Sequence, residues 1–136
     1  MKSKLSSSVA FISLLFVLVF FLFWKFKSPL KKEALYKIAL KSAFNADNKD
    51  NSIKLSALDK KSGFMHASYG SQVNNTIEKF FKKSDDILVF ELDVEALEKN
   101  GTILKPERNG PNGIVFPHFY GTQNIPIKVI KSVIKF

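Results

Sequence analysis

The sequence contains no cysteine, a single arginine, and no acidic residue before Glu33. The absence of cysteine excludes disulfides, thiolate metal sites and thiol nucleophiles. Arg108 alone cannot supply the repeated bidentate phosphate contacts typical of nucleic-acid recognition, and the lysines are scattered along the chain. The formal net charge of +9 therefore argues little for nucleic acid as a partner. A chain of 136 residues has room for one domain and a short appendage.

Familiar catalytic motifs are missing as well. The chain has no GxGxxG, P-loop, HExxH or GxSxG sequence, which leaves the dinucleotide-fold, P-loop, zincin and serine-hydrolase classes without support. Its two histidines, His66 and His118, are too few for a zinc site, which usually needs roughly three or four protein ligands. The sequence therefore predicts no metal.

The N-terminal segment is one long apolar run. Residues 5–24 carry no charge, and a helix of that length, at about 1.5 Å per residue, matches the roughly 30 Å hydrocarbon core of a bilayer. A cleaved signal peptide is the alternative, but bulky and basic residues occupy 24–27, where a small-residue cleavage site is expected. We predict a transmembrane anchor at 5–27 that binds the lipid bilayer, a linker at 28–33 and a folded domain at 34–136.

Lysines near the span set its predicted orientation. Two lysines precede the apolar run and four follow it, at positions Lys2, Lys4, Lys25, Lys27, Lys31 and Lys32. The positive-inside rule places the more basic flank in the cytoplasm. The sequence thus predicts a single-pass membrane protein with a cytoplasmic C-terminal domain.

The rest of the chain contains short apolar strands and two helical segments. Strands are predicted at Ala34–Ile38, Ile87–Val94, Thr102–Lys105, Ile114–Phe116 and Ile127–Phe136. Helices are predicted at Ala39–Ala46 and Gln72–Lys83, the second with Ser71 as its N-cap. Strands and helices do not alternate as a doubly wound sheet requires. The pattern therefore predicts an α+β fold with split or bent mixed β-sheets and two or three short helices.

Both histidines lie in conspicuous segments, Gly63–Ser68 (GFMHAS) and Phe116–Gly121 (FPHFYG). In the first segment, strand alternation over 64–69 puts His66 on the same face as Ser68. A histidine in a short strand is often only structural, and the second segment could be an aromatic-rich turn. Imidazole, hydroxyl and phenol groups also suit a polar ligand, and imidazole moves protons near neutral pH.

A family resemblance rests on these two segments. The order and spacing of GFMHAS, the helix with its Phe80-Phe81 pair, DDILVFELD and FPHFYG closely resemble the bacterial DUF952 family, a domain of unknown function, from about Leu35 to Phe136. The resemblance implies a fold similar to the ADP-ribosyltransferase group, in which split sheets enclose a cleft for NAD. Family members typically carry Tyr-His in the first strand, where this chain has Tyr36-Lys37. Lysine donates hydrogen bonds but cannot accept them, which puts catalytic competence in doubt.

The resemblance also implies NAD or ADP-ribose as the ligand and a role for each candidate residue. The expected catalytic residues are His66, Glu107 and His118, and the expected ligand-binding residues are Lys37, His66, Ser68, His118 and Tyr120. Glu107 is expected to accept a hydrogen bond from a ribose hydroxyl and to stabilise positive charge developing at the anomeric carbon. An ordinary exposed carboxylate at a strand end is the alternative for Glu107. Tyr120 is expected to stack on a base.

Two functions remain open. The first is a membrane-anchored domain that binds an NAD or ADP-ribose-type nucleotide or acts as a glycosyl or ADP-ribosyl transferase. The second is a non-catalytic binding or scaffold module tethered to the membrane, in which the same side chains support the fold or bind a partner protein.

Overall fold

Residues 30–44 and 52–136 of the chain are described by a computed structural model. The predicted membrane anchor at 5–27 and the first residues of the predicted linker lie outside these ranges, so the anchor stays a prediction. Within the two described ranges, no helix has both the length and the apolar character needed to cross a membrane.

Nine short strands and three short α-helices make up the described part of the chain. The strands are β1 (Leu35–Leu40), β2 (Ser52–Lys54), β3 (Met65–His66), β4 (Ser68–Tyr69), β5 (Ile87–Leu92), β6 (Ile103–Arg108), β7 (Val115–Tyr120), β8 (Asn124–Pro126) and β9 (Ile130–Lys135). The α-helices are α1 (Ala57–Ser62), α2 (Val73–Phe80) and α3 (Val94–Lys99). Short 3₁₀ turns occupy Lys41–Ala43, Gly70–Gln72 and Ile127–Val129.

A four-stranded sheet in the order β4-β1-β5-β9 forms one wall of the core. Every residue of its inner strand β5 is buried, because apolar side chains cover both faces of the sheet. Phe90 belongs to the larger apolar cluster on one face, and Val89 belongs to the smaller cluster on the other. A strand buried on both faces is nearly continuous in apolar residues, which is why ILVFEL is the clearest strand in the sequence.

The three-stranded sheet β3-β7-β6 carries both histidine segments. Met65 on β3 pairs with Phe119 on β7, which pairs with Leu104 on β6. Met65 and Phe119 are fully buried in the larger apolar cluster. Because successive side chains of a strand point to opposite faces, the residues beside them point away from the core. A separate two-stranded sheet pairs β2 with β8.

The α+β class, with several sheets and few short helices, is confirmed. Every pairing between described strands is antiparallel, so the prediction of mixed sheets is wrong. The helix predicted from Ala39 is also wrong where the chain is described. Ala39 pairs with Leu88 and keeps the chain extended to Leu40, after which only a 3₁₀ turn follows.

Five further elements have boundaries that differ from the prediction. The strand predicted to reach Val94 ends at Leu92, because the Asp93 side chain accepts from Ala96 N at 3.0 Å and starts α3. The second predicted helix is shorter than expected and spans Val73–Phe80, with Gln72 instead of Ser71 as its N-cap. β6 and β7 extend beyond their predicted ends, and the last predicted strand is divided into a 3₁₀ turn and β9.

The predicted alternation over residues 64–69 is wrong, because the chain changes sheets at Ala67. His66 on β3 pairs with His118, whereas Ser68 on β4 pairs with Tyr36 in the four-stranded sheet. Between them, Ala67 N donates to Pro117 O at 3.1 Å. His66 and Ser68 therefore do not share one face of one sheet.

Phe119→Ala is expected to lower the free energy of unfolding by about 3–5 kcal/mol, because the Phe119 ring is fully buried under the middle strand of the three-stranded sheet. Urea denaturation measures the change. Leu58→Ala on α1 is the control, since Leu58 is 57% exposed, and it should stay within about 0.5 kcal/mol of wild type. Equal effects of the two substitutions would contradict the described packing.

Candidate functional site

Five polar or charged side chains share the outer face of the three-stranded sheet. His66 pairs with His118, and His118 pairs with Lys105, so these three residues form a row across the strands. Glu107 and Tyr120 lie two positions further along their strands and therefore on the same face. We call this set the histidine face, and its members are His66, Lys105, Glu107, His118 and Tyr120.

A buried carboxylate, that of Asp59, holds His66 in place. The Asp59 side chain is 1% exposed, and its Oδ1 lies 2.9 Å from both the Nδ1 and the backbone N of His66. Lys37 Nζ on β1 donates to Oδ2 at 2.6 Å. Ser56 N donates to the same oxygen at 2.9 Å, and the Ser56 hydroxyl accepts from Asp59 N at 3.1 Å as the cap of α1. One acid thus joins β1, α1 and β3.

This environment shifts the pKa values of Asp59 and Lys37. Burial by itself raises the pKa of Asp59, but hydrogen bonds from His66 and the charge of Lys37 outweigh burial and bring the pKa well below its ordinary value. Burial lowers the pKa of Lys37, and the neighbouring Asp59 opposes that change. Asp59 is therefore ionised at neutral pH and can only accept hydrogen bonds, so the shared proton lies on His66 Nδ1.

A second carboxylate, Glu107, holds the other imidazole. Its Oε2 lies 2.8 Å from His118 Nδ1 and accepts from the Tyr120 hydroxyl at 2.7 Å. These hydrogen bonds, from Tyr120 and then His118, lower the pKa of Glu107, while Glu107 raises the pKa of Tyr120. The Glu107 side chain is 40% exposed. A ligand can therefore reach this carboxylate, in contrast to that of Asp59.

The ring of Phe64 packs against the aromatic members of the histidine face. Its centroid lies 4.2 Å from that of His118 in a stacked arrangement, 4.7 Å from His66 and 5.1 Å from Tyr120. The two imidazole rings meet edge to face at 5.3 Å. The ammonium group of Lys105 lies 4.7 Å from the centroid of the Tyr120 ring. Ring packing and carboxylate hydrogen bonds together restrict how the two imidazoles can turn.

Both imidazoles leave the same atom for a ligand. In each ring Nδ1 is bonded to a carboxylate, and in the described part of the chain neither Nε2 has a hydrogen-bond partner. An unprotonated Nε2 accepts a hydrogen bond or a proton, and a protonated one donates. The pair can therefore bind a polar group and transfer a proton.

Four of the predicted site residues come together in the structure, namely His66, Glu107, His118 and Tyr120. The other two lie elsewhere. Lys37 is buried on β1 of the four-stranded sheet, where its Nζ donates to Asp59 and, at 3.0 Å, to His66 O. Ser68 is also buried, and its hydroxyl lies 3.3 Å from that of Thr76 on α2.

Three residues of the site were not expected from the sequence: Asp59, Phe64 and Lys105. For Asp59 a signal exists, because Ser56-x-x-Asp59 has the spacing of a capping box and marks the start of a helix. Nothing in that spacing indicates that the carboxylate also binds His66 and Lys37. Among the described residues, no group of three or more acidic, histidine or cysteine side chains is placed to hold a metal ion.

A groove lies beside the histidine face, between α2 and the turn that joins β6 to β7. Its volume is about 270 Å³, and its walls include Asn75 and Phe80 on one side and Asn112 and Phe116 on the other. Neither imidazole lines it. The two histidines pair on one sheet face, and this groove is a separate concavity next to them.

The chain has known relatives in sequence and in structure. A family model described as "Protein of unknown function (DUF952)" matches residues 38–133. The crystal structure of protein CC0527 from Caulobacter crescentus matches with a TM-score of 0.61 and 26% sequence identity, over 74% of this chain and 83% of that chain. The crystal structure of a double mutant of that protein matches equally well. No curated protein matches the chain.

Asp59→Asn is expected to lower the free energy of unfolding at neutral pH by about 3–5 kcal/mol, because it leaves Lys37 buried without a counter-charge. The pKa of Asp59 is lowered in the folded protein, so its contribution is present above the ordinary carboxyl pKa and is lost as pH falls through the folded-state pKa. The Asp59→Asn variant has no carboxylate at position 59, so its stability does not show this decrease at acidic pH. Urea denaturation across acidic pH should therefore show the two proteins converging as pH falls.

The double variant Lys37→Met with Asp59→Asn tests the pairing directly. It should lose less stability than the two single variants combined, since neither charge is then left buried alone. Glu95→Gln is the control, because the Glu95 side chain is 78% exposed and should have little effect. Additive losses at positions 37 and 59 would show that the two groups act independently.

Proposed function

This chain belongs to the DUF952 family of proteins of unknown function. From that membership and from the geometry of the histidine face, we propose that its folded domain binds an NAD or ADP-ribose-type nucleotide. The observation that carries the proposal is the pair of imidazoles on neighbouring strands, with ring centroids 5.3 Å apart and each Nδ1 bonded to a carboxylate. Two neighbouring imidazoles, each with Nε2 left for a ligand, suit the vicinal hydroxyls and phosphate oxygens of such a ligand.

Other members of the histidine face complement the same ligand. Glu107 has an exposed carboxylate that can accept from ribose hydroxyls. The Lys105 ammonium group supplies a positive charge for a phosphate group. Phe64 and Tyr120 offer ring surfaces at the edge of the polar cluster. The proposal includes an arrangement of the sheets like that of the ADP-ribosyltransferase group. It also includes a membrane anchor at 5–27 that keeps the domain on the cytoplasmic side of the bilayer.

The reaction that fits these groups is transfer of an ADP-ribosyl or other glycosyl unit. The bond between the ribose anomeric carbon and the nicotinamide nitrogen breaks, and its electron pair leaves with nicotinamide. Glu107 has a lowered pKa and is ionised at neutral pH, so it can stabilise the positive charge on the sugar. An imidazole Nε2 takes the proton from the acceptor hydroxyl as the new bond forms.

One observation favours the second candidate, a non-catalytic binding or scaffold module. Lys37 and Asp59 are buried and bonded to one another, so this inner part of the site acts within the fold and does not contact a ligand. In that case the histidine face binds without turnover. Nicotinamide release from NAD distinguishes the two, because only the transferase produces it.

Isothermal titration of the full chain, kept in detergent because of its apolar N-terminal run, tests the proposal. NAD or ADP-ribose should bind, and Glu107→Gln should weaken binding about tenfold or more, because a charge-assisted hydrogen bond contributes about 1.5–3 kcal/mol. His118→Ala should weaken binding similarly and leave the melting temperature within a few degrees.

Glu95→Gln is the matched control, an exposed glutamate on α3 that is paired with Lys99 and is not a member of the histidine face. Its affinity should equal that of wild type. The proposal fails if neither NAD nor ADP-ribose binds at millimolar concentration, or if Glu95→Gln and Glu107→Gln have the same effect.

A further inference from the structure

The groove between α2 and the β6–β7 turn has a lining that differs from the histidine face. Its lining contains four carboxamide residues, Gln72, Asn75, Asn109 and Asn112, one basic residue, Lys79, and no acidic residue. Its apolar members include Phe80 and Ile114, which are 60% and 64% exposed. Large apolar side chains that stay this exposed beside polar groups often mark a binding surface.

The walls of the groove are held by internal hydrogen bonds. Gln72 accepts from Tyr69 N at 3.0 Å and donates to Val115 O at 2.7 Å, which links the start of α2 to β7. Across the groove, Asn109 N donates to Ile114 O at 3.1 Å and closes the turn. A Cβ at Gly113 would overlap the carbonyl of Asn109, so the turn requires glycine there. The groove is therefore formed before any ligand arrives.

Size limits what the groove can hold. Its volume of about 270 Å³ lies just below the usual range for small-molecule pockets, roughly 300–1,000 Å³. One heterocyclic ring system fits, and a whole dinucleotide does not. Exposed aromatic surface suits a planar ring, and carboxamide groups both donate and accept hydrogen bonds, as the edges of an uncharged base require.

The groove adjoins the histidine face at Phe116. Phe116 lines the groove and pairs across the strands with Glu107, so it lies on the same sheet face as His118. A ligand with its sugar at Glu107 would thus have its base within reach of the groove.

We propose that this groove binds the uncharged heterocyclic base of a nucleotide whose ribose and phosphates occupy the histidine face, an inference that rests on the function proposed above. The base lies between Phe80 on one wall and Phe116 on the other, and the asparagine amides bond to its edge. The protein then recognises a nucleotide in two adjoining parts, with the ribose and phosphates at the histidine face and the base in the groove.

Three probes separate the two parts in an NMR titration of the full chain. Adenosine lacks phosphate and should shift the side-chain amide signals of Asn75 and Asn112. Ribose 5-phosphate lacks a base and should shift the ring signals of His66 and His118. ADP-ribose carries both and should shift both sets.

Asn75→Ala and Asn112→Ala should each weaken ADP-ribose binding about three- to tenfold, the loss expected for one hydrogen bond, and should leave ribose 5-phosphate binding unchanged. Asn74→Ala is the matched control, because Asn74 is exposed on the same helix but does not line the groove.

The groove assignment is overturned if adenosine leaves the groove amides unmoved, or if positions 74 and 75 respond alike. If ribose 5-phosphate leaves both imidazoles unmoved, the function proposed for the histidine face fails, whereas the adenosine titration still decides the groove.

Discussion

The buried carboxylate of Asp59 is the interaction on which the rest of the site depends. It accepts four hydrogen bonds, from Lys37 Nζ, Ser56 N, and the backbone N and Nδ1 of His66. These donors come from the four-stranded sheet, the start of α1 and the three-stranded sheet, so one side chain sets the position of all three. Burying a charge is costly unless it is fully paired, and among the described residues no buried side-chain polar atom lacks a partner. The arrangement therefore tolerates little change at Lys37, where a shorter or uncharged side chain would remove the buried counter-charge of Asp59.

The two carboxylate–imidazole pairs look alike but lie in different surroundings. Asp59 is 1% exposed, whereas Glu107 is 40% exposed. The buried carboxylate of Asp59 orients the His66 ring and cannot itself contact a ligand, while the exposed carboxylate of Glu107 both orients His118 and offers an oxygen to solvent. Phe64 brings the two together, and its position follows from Gly63, which ends α1 in the left-handed conformation at φ 78°. Glycine adopts that conformation without steric cost, so the chain can turn directly from the helix into β3.

Sequence patterns predicted the parts of the fold whose signal is local. Alternating side chains predicted the strand β5, and the structure confirms a strand there but buries all six of its residues, because apolar side chains cover both faces of the sheet. The stripe that contains Val73 and Ile77 identified α2, although its ends were placed too far apart. Short elements in polar sequence were missed, including β2 and α1, since three or six residues carry too little periodicity. The change of sheets at Ala67 was missed for another reason: alternation continues unbroken through residues that pair with different partners.

The sequence by itself determined which chemical groups the domain has: two imidazoles in two short segments, a glutamate ahead of the second, and no thiol. It also determined the α+β class, because strand and helix periodicities are properties of neighbouring residues. Only the tertiary structure decided which groups meet. Strand register placed His66 against His118, the crossing at Ala67 took Ser68 to α2, and folding of β1 over α1 turned Lys37 toward Asp59. These outcomes depend on pairings between residues far apart in the chain, and no local pattern encodes the partner of a strand or of a buried charge.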